Sequence, residues 1–465
     1  MQLGDIFEDF SFDARTASIE VTNVELDSRS CTPGSVFFAM TGTAENGAKY
    51  VKDAIANGAV CVVTTEELQL DVPVITVAPS LLRGLVAHAS SLVTGNPQLR
   101  CELVGVTGTN GKTSVTTIVG ELARAISWNG SNIGTLTNER TTPDAPELMR
   151  SLKTIVDEFD EAKSRSIVAL EVSSHAIDQA RIEGLQFAVV AFTNLSHDHL
   201  DYHGSMDEYF AVKSKLFTRE YSQRCVIWCD DSYGQRLANE TQLAVIEVHR
   251  SDASEIIQTL TGTTFFWRGH LVNTPLIGDY NIDNALVAMT ILSSLGASDE
   301  SIAAGMEFVG SIPGRFEVIQ GKSVTAIVDY AHTPEGLRRL LSDVRSLSPG
   351  SRIVTVFGCG GDRDTSKRPE MGRVASQLSD VTIITSDNPR SESPDAIIDA
   401  VMSGCELGSV TYVQSDRRAA ISQAMQLANA GDVVVIAGKG HETTQTIGDV
   451  ELMFDDRVVA RELVK

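Results

Sequence analysis

Short apolar runs recur along the chain and alternate with stretches of helical periodicity. Ile167–Leu170, Val189–Phe192 and Val433–Ile436 carry no polar residue at all. An unbroken run of this kind suits a strand covered on both faces, and strands that alternate with helices predict an α/β protein with largely parallel sheets. In the first hundred residues the strand candidates are Val36–Met40, Val60–Thr64 and Val74–Val77, with helices over Ala48–Asn57 and Leu81–Val93. Leu103-Val104 precedes a helical pattern in which Val115, Ile118, Val119, Leu122 and Ile126 share one face. A further helix fits Met206–Phe217, and the last third adds strands at Ala326–Val328, Ile353–Phe357 and Val381–Thr385.

Two breaker clusters divide this pattern, Thr94-Gly-Asn-Pro97 and Pro313-Gly314. At about 150 residues per domain, 465 residues suggest roughly three units. The expected division is 1–97, 98–314 and 315–465, without internal repeats or low-complexity tracts.

A formal net charge of −23 argues against a general nucleic-acid-binding role, so any anionic ligand must be held by local N–H groups, arginine and lysine. The N-terminus lacks a basic region ahead of an apolar one, and no apolar run approaches the roughly 18 residues that cross a membrane. A cytoplasmic protein is expected. The seven cysteines (Cys31, Cys61, Cys101, Cys225, Cys229, Cys359, Cys405) are odd in number and scattered, and most sit in apolar segments as buried thiols do. Cys225-x3-Cys229 lacks a second pair and reads as core rather than zinc.

The densest chemistry begins at Gly105-Val-Thr-Gly-Thr-Asn-Gly-Lys-Thr-Ser114. A glycine-rich turn between a strand and a helix start aims backbone N–H groups at an anion, Lys112 adds charge, and the Thr113 hydroxyl suits a Mg²⁺ shell. This is a triphosphate cradle, with its signal in Gly108, Thr109, Asn110, Gly111, Lys112, Thr113 and Ser114. Val106 stands where the common spacing has glycine. Glu171 ends a buried strand beside it, the usual place for a Mg²⁺ ligand, although an exposed strand-end acid reads the same way. His197, His199 and His203 lie among Asp198 and Asp201; one of them is expected to reach metal and the rest to be surface or supporting groups. Lys213 and Lys215 sit in an ordinary amphipathic helix, where solvated lysines are the local expectation. Asn281 and Asn284 share a helical face, either as buried amides or to read an adenine edge. Arg315 follows Pro313-Gly314, as a linker arginine or as a contact to a γ-phosphate.

In the last third four polar loops follow strands: Asp329-Tyr-Ala-His332, Gly358-Cys-Gly-Gly361 with Asp362-Arg-Asp364, Asp387-Asn-Pro-Arg390, and Gly438-Lys-Gly-His-Glu442. Polar loops at the carboxyl ends of parallel strands make one crevice rim, where open α/β sheets bind ligands.

In this order, Thr107-Gly-Thr-Asn-Gly-Lys-Thr113, Glu171-Val-Ser-Ser-His175, Asn194-Leu-Ser-His-Asp-His199, Asn281-x-x-Asn284, Arg315 and Asp329-Tyr-Ala-His332 resemble the Mur ligase family, the ATP-dependent amide-forming enzymes of peptidoglycan synthesis. The likeness covers all three proposed domains. Leu26-Asp-Ser-Arg29, Asp198-His-Leu-Asp-Tyr-His203, Gly360-Gly-Asp-Arg-Asp364 and Asp387-Asn-Pro-Arg390 resemble the branch that adds the third amino acid of the peptide. The resemblance implies a UDP-substrate domain, a central P-loop ATPase-like domain and a Rossmann-like C-terminal domain. It implies a monomer that uses ATP and Mg²⁺ to attach meso-diaminopimelate to the D-Glu γ-carboxylate of UDP-N-acetylmuramoyl-L-Ala-D-Glu through an acyl phosphate.

By the same resemblance the phosphate loop, Asn284, Arg315 and Asp329 bind ATP. Lys112, Glu171, His199 and Lys213 are catalytic, with Thr113 and Glu171 on one Mg²⁺. Glu171, His199 and a carbamylated Lys213 surround a second. Leu26, Ser28 and the Thr43-Ala-Glu45 turn take the uridine end, and Thr141, Thr142, Ser173, Gln179 and Arg181 the muramoyl peptide, with Arg140 adding charge nearby. Arg363, Asp387, Asn388, Pro389, Arg390, Gly438 and Glu442 hold diaminopimelate, whose distal carboxylate Arg390 clamps. Lysine has no such carboxylate and leaves Arg390 unpaired, at about 1–3 kcal/mol. The alternatives are a lysine-adding relative, another Mur or folylpolyglutamate-type amide ligase, a non-catalytic nucleotide-binding regulator, and a dehydrogenase built around Gly358–Gly361.

Overall fold

The computed structural model of the chain describes residues 1–40, 46–138 and 140–464. Three parallel or mostly parallel sheets follow one another along it. The first orders Asn23–Glu25, Ser35–Phe38, Ala59–Thr64 and Val74–Thr76, all parallel. Helix Pro79–Thr94 packs near the first strand and, across the unit, against helix Ala145–Asp157.

The second sheet runs Ala244–Val248, Arg224–Trp228, Val189–Phe192, Glu102–Thr107, Ser166–Glu171, Asn129–Ile133, again all parallel. Glu102–Thr107 therefore lies between the strands that end at Phe192 and Glu171, and both of these point their carboxyl ends at the loop that follows Thr107. One sheet face carries the helices Lys112–Ala125 and Asp279–Ser294 over a core of Val104, Val106, Ile118 and Leu286; the other buries Leu170, Phe192 and Phe210. A small antiparallel sheet, Ala253–Thr259, Gly262–Trp267 and His270–Thr274, adds Phe265 and Trp267 to the first of these cores.

The third sheet orders Glu317–Gln320, Thr325–Asp329, Val433–Ala437, Ile353–Phe357, Val381–Ile384 and Thr411–Val413. Only the edge pair at Glu317–Gln320 is antiparallel. Helices bury both faces, which explains the unbroken apolar runs. A hairpin, Thr444–Ile447 with Val450–Met453, projects after the strand Val433–Ala437. Helix Met206–Ser214 stops short of the expected Phe217, because Lys215–Phe217 closes as a turn whose amides return to Val212, Lys213 and Ser214. Residues 48–57 divide into a 3₁₀ turn, Gly47–Tyr50, and helix Val51–Ala56. No helix among the described residues is long and apolar enough to cross a membrane.

Candidate active site

A cleft of about 1380 Å³ opens between the second and third sheets. Asn110, Gly111, Lys112, Thr113 and Glu171 line one side, and Arg363, Asp387, Asn388, Arg390, Gly438 and Glu442 the other.

The phosphate loop is held from behind by the segment after Phe192. Thr193 Oγ1 donates to the Asn110 carbonyl at 2.6 Å, the Asn110 amide donates to Asn194 Oδ1 at 3.0 Å, and the Thr109 amide donates to the Asn194 carbonyl at 2.9 Å. This clamp requires glycine at 108: φ is +153°, and a Cβ there would stand 1.9 Å from Thr193 Oγ1. Gly111 enters helix Lys112–Ala125 at φ +86° with no side chain capping it, so the first-turn amides remain available to an anion. Lys112 Nζ rests on the Gly108 and Thr109 carbonyls, both at 2.9 Å, and burial lowers its pKa against the pull of Glu171 and Asp198.

Glu171 is fully buried. Its Oε2 accepts from Thr113 Oγ1 at 3.0 Å and its Oε1 from the Thr135 amide at 2.8 Å. Burial raises its pKa, opposed by Lys112. This is an enclosed carboxylate, not an exposed strand-end acid. Its carbonyl accepts from Thr142 Oγ1 at 2.8 Å, and Thr142 Oγ1 accepts from the Ser173 amide at 3.0 Å. Arg181 donates to the Thr142 carbonyl at 2.8 Å and to Gln179 Oε1 at 2.7 Å, and sits 3.0 Å from Asp144. Thr141, Thr142, Ser173, Gln179 and Arg181 thus make one network beside Glu171, of which only Thr141 lines the cleft. Arg140 pairs with Asp144 and stands exposed.

The three histidines separate. His203 is buried, hydrogen-bonded to Ser174 Oγ at 2.9 Å and stacked on Tyr209. His197 faces Asp364 of the third sheet at 3.8 Å. His199, at φ +54°, reaches the cleft wall, where burial pushes its pKa down to about 4 despite Asp198. Burial alone would raise the Asp198 carboxyl, but the hydrogen bond and charge of His332 hold it well below the usual range. Lys213 overturns the local expectation of a solvated side chain: it is 1% exposed, its Nζ donates to the Gly108 carbonyl at 2.9 Å, and burial lowers its pKa strongly. Lys215 is the solvated one, 3.6 Å from Asp178.

Arg315 packs 4.2 Å from the Tyr330 ring centroid, points Nη2 at Thr113 Oγ1 (3.5 Å), and buries an Nε that has no hydrogen-bond partner. A guanidinium in that state suits a further anion. Asp329 lines the cleft, but its oxygens already accept from the Phe316 and Ala331 amides and Tyr280 Oη, all at 2.7 Å, so it braces the segment between the sheets. Asn284 lines the cleft beside Gly111, whereas Asn281 is buried away from it, its Nδ2 donating to the Ile277 carbonyl at 2.8 Å. Pro389 is buried behind the rim. Leu26 and Ser28 belong to the first sheet's unit and do not line this cleft, and Thr43-Ala-Glu45 lies outside the described residues. Thr135 was not marked by the sequence, and Thr193, Tyr330 and Lys439 lie in loops the sequence did mark but without roles of their own; a position just after a strand end was the available signal.

A model of the Mur ligase middle domain matches residues 106–292, one of the Mur ligase glutamate ligase domain 314–440, and one of the Mur ligase family catalytic domain 20–98. The UDP-N-acetylmuramoyl-L-alanyl-D-glutamate–2,6-diaminopimelate ligase of Gloeobacter violaceus is 41% identical over 99% of this chain and 98% of its own. The chain belongs to the Mur ligase family. The correspondingly named ligase of Geobacillus kaustophilus is also 41% identical, over 96% of this chain and 95% of its own. A solved 2,6-diaminopimelate ligase of that name superimposes with a TM-score of 0.67 at 30% identity, covering 100% of this chain and 98% of its own. A Mycobacterium tuberculosis folylpolyglutamate synthase shares the fold at 20% identity and TM-score 0.59, over 77% of this chain and 92% of its own.

Proposed function

We propose that the protein is the ATP-dependent ligase that joins meso-2,6-diaminopimelate to the D-Glu γ-carboxylate of UDP-N-acetylmuramoyl-L-Ala-D-Glu in peptidoglycan precursor synthesis. The observation that carries this reading is one cleft lined both by a phosphate loop (Lys112, Thr113) and by an amino-acid rim that combines Asp387 and Glu442 with Arg390. The relatives' names supply the substrates. On this reading residues 1–97 hold the uridine end, with Leu26 and Ser28; residues 98–314 bind ATP; residues 315–465 receive the amino acid. One chain furnishes all three regions, so a monomer suffices, working in the cytoplasm.

The γ-carboxylate oxygen attacks the γ-phosphorus of ATP; a P–O bond forms, the bond to the β-phosphate oxygen breaks, and ADP leaves. A neutral amine of diaminopimelate then attacks the acyl carbon. The C–N bond forms, the C–O bond to phosphate breaks, and the amine surrenders a proton. Both partners in the first step are anions, so the loop amides, Lys112 and Arg315, whose Nε has no partner, offset the repulsion. Thr141 meets the peptide beside Glu171, and Thr142, Ser173, Gln179 and Arg181 hold that wall of the site in place.

Among the described residues, no three His, Cys, Asp or Glu side chains gather closely enough to hold a metal by themselves. The Thr113 hydroxyl and Glu171 carboxylate, 3.0 Å apart, fit Mg²⁺ in company with nucleotide oxygens, where it would neutralise phosphate charge. Glu171, His199 and Lys213 would hold a second ion once the buried amine of Lys213 adds CO₂. That step forms an Nζ–C bond and releases a proton, and it requires the neutral amine that burial favours here.

A coupled ADP-release assay with UDP-N-acetylmuramoyl-L-Ala-D-Glu tests the reading, offering diaminopimelate, lysine and ornithine in turn. Turnover with diaminopimelate and little with the others is expected; equal use of lysine overturns the acceptor, and no turnover with any of them overturns the reaction.

A further inference from the structure

Gly438-Lys-Gly-His-Glu442 places a lysine between two glycines on the amino-acid rim, and that lysine is turned inward. Lys439 is 0% exposed. An ammonium has three N–H donors, and all three are satisfied: Asn388 Oδ1 at 3.2 Å, Glu442 Oε2 at 2.9 Å and the Thr444 carbonyl at 2.7 Å. The turn that buries it uses Gly438 at φ +114°, where a Cβ would come within 2.7 Å of Asp387 Oδ2.

These bonds decide what the rim presents. Asn388 Oδ1 accepts from both Lys439 and the Thr446 amide (3.0 Å), so its two lone pairs are used. The Asn388 side chain therefore cannot accept from an amino group of the ligand; its Nδ2 donates to Glu442 Oε2 at 2.8 Å and keeps one further N–H. Both side-chain bonds to Glu442 fall on Oε2, and the carboxylate, its side chain 30% exposed, keeps Oε1 for the cleft it lines.

We infer that Lys439 is the positioning residue of the amino-acid rim: its buried ammonium locks Glu442 Oε2 and Asn388 Oδ1, so that Glu442 Oε1 and an Asn388 N–H face the acceptor's ammonium and carboxylate. The inference rests on the proposed function, in which this rim receives diaminopimelate. Without the ammonium, Glu442 loses its partner charge and Asn388 Oδ1 keeps only the Thr446 amide as a donor.

Initial rates of the full chain with ATP, UDP-N-acetylmuramoyl-L-Ala-D-Glu and diaminopimelate are compared for the unmutated enzyme, Lys439→Met, Glu442→Gln and the double variant. Lys439→Met is expected to raise KM for diaminopimelate by at least about tenfold, the worth of one charge-assisted hydrogen bond, with KM for ATP unchanged. In the Glu442→Gln background the same substitution should cost less than it does alone, because one of its two targets, the Glu442 carboxylate, is gone and only the bond to Asn388 remains to be lost. An unchanged KM for diaminopimelate in Lys439→Met, or losses that add fully in the double variant, overturns the inference. Should Lys439→Met fail to fold, the double variant lacks both charges of the pair; a KM less than about tenfold above that of Glu442→Gln supports the inference, and a rise of about tenfold or more overturns it. An unmutated enzyme that does not use diaminopimelate overturns the functional reading itself, and is recognised before any variant is assayed.

Discussion

Replacing Arg390 by alanine should raise KM for diaminopimelate by about 10- to 150-fold and leave KM for ATP where it is. The figure comes from a bidentate, charge-assisted contact to the distal carboxylate, worth about 1.5–3 kcal/mol, at 1.4 kcal/mol per decade. The side chain is well placed to supply it. Nη1 is engaged with the Gly361 carbonyl at 2.6 Å, which orients the guanidinium while Nη2 and Nε stay available. The backbone needs no side chain: the Arg390 amide donates to the Thr446 carbonyl at 3.1 Å, and its carbonyl accepts from the Gly448 amide at 2.7 Å. Truncation therefore removes a single intramolecular hydrogen bond, about 0.5–1.5 kcal/mol, and the rim should remain folded. Initial rates with each substrate varied in turn read the effect, and thermal unfolding of the same samples verifies folding. Arg390→Lys, which keeps the charge without the fork, should fall between the two. A KM for diaminopimelate that does not move, or one that rises in step with KM for ATP, would refute the assignment.

Gly108→Ala should weaken nucleotide binding by at least about tenfold, since strain at such a φ costs about 1–3 kcal/mol and the added Cβ meets Thr193 Oγ1; calorimetric titration with ADP that shows unchanged affinity rejects the clamp. Activity in buffer stripped of CO₂ should fall and return with bicarbonate, and Lys213→Ala should be inactive with no bicarbonate response; indifference of the unmutated enzyme to CO₂ rejects the carbamate. Asp343, whose Oδ2 accepts from the Asp279 amide at 2.9 Å, is pushed up to about 7 by burial and by Asp279. The folded state then binds more protons than the unfolded between about pH 4 and 7, so this group's stabilising contribution is present at low pH and lost as pH rises through 7. Asp343→Asn should accordingly gain thermal stability relative to the unmutated protein at pH 8 compared with pH 5; a difference that is constant with pH sinks that account.

Much of the architecture is legible residue by residue. Val189–Phe192 and Ile353–Phe357 appear as strands at the expected limits, because a strand buried on both faces needs an apolar run that sequence displays directly. The phosphate loop is legible for a related reason: its glycines, lysine and threonine act on backbone within a few residues of themselves. The antiparallel sheet Ala253–Trp267–Thr274 was not legible, since one face of it is wet and Ala253–Thr259 alternates too weakly to separate from loop.

By itself, then, the order of apolar runs and glycine turns determined the α/β layering and the glycine-rich loop before helix Lys112–Ala125, while the resemblance of the polar motifs pointed to the family. Only the tertiary structure decided which charged side chains are withdrawn from water. Lys213 and Lys215 are two residues apart on one segment, yet one lies beneath the phosphate loop and the other stands in solvent. Lys439, Asn388 and Glu442 come from two strand ends, and Asp198 meets His332 across the cleft. Desolvation and ion pairing depend on what surrounds a group in space, and those surroundings are assembled from segments that local pattern cannot bring together.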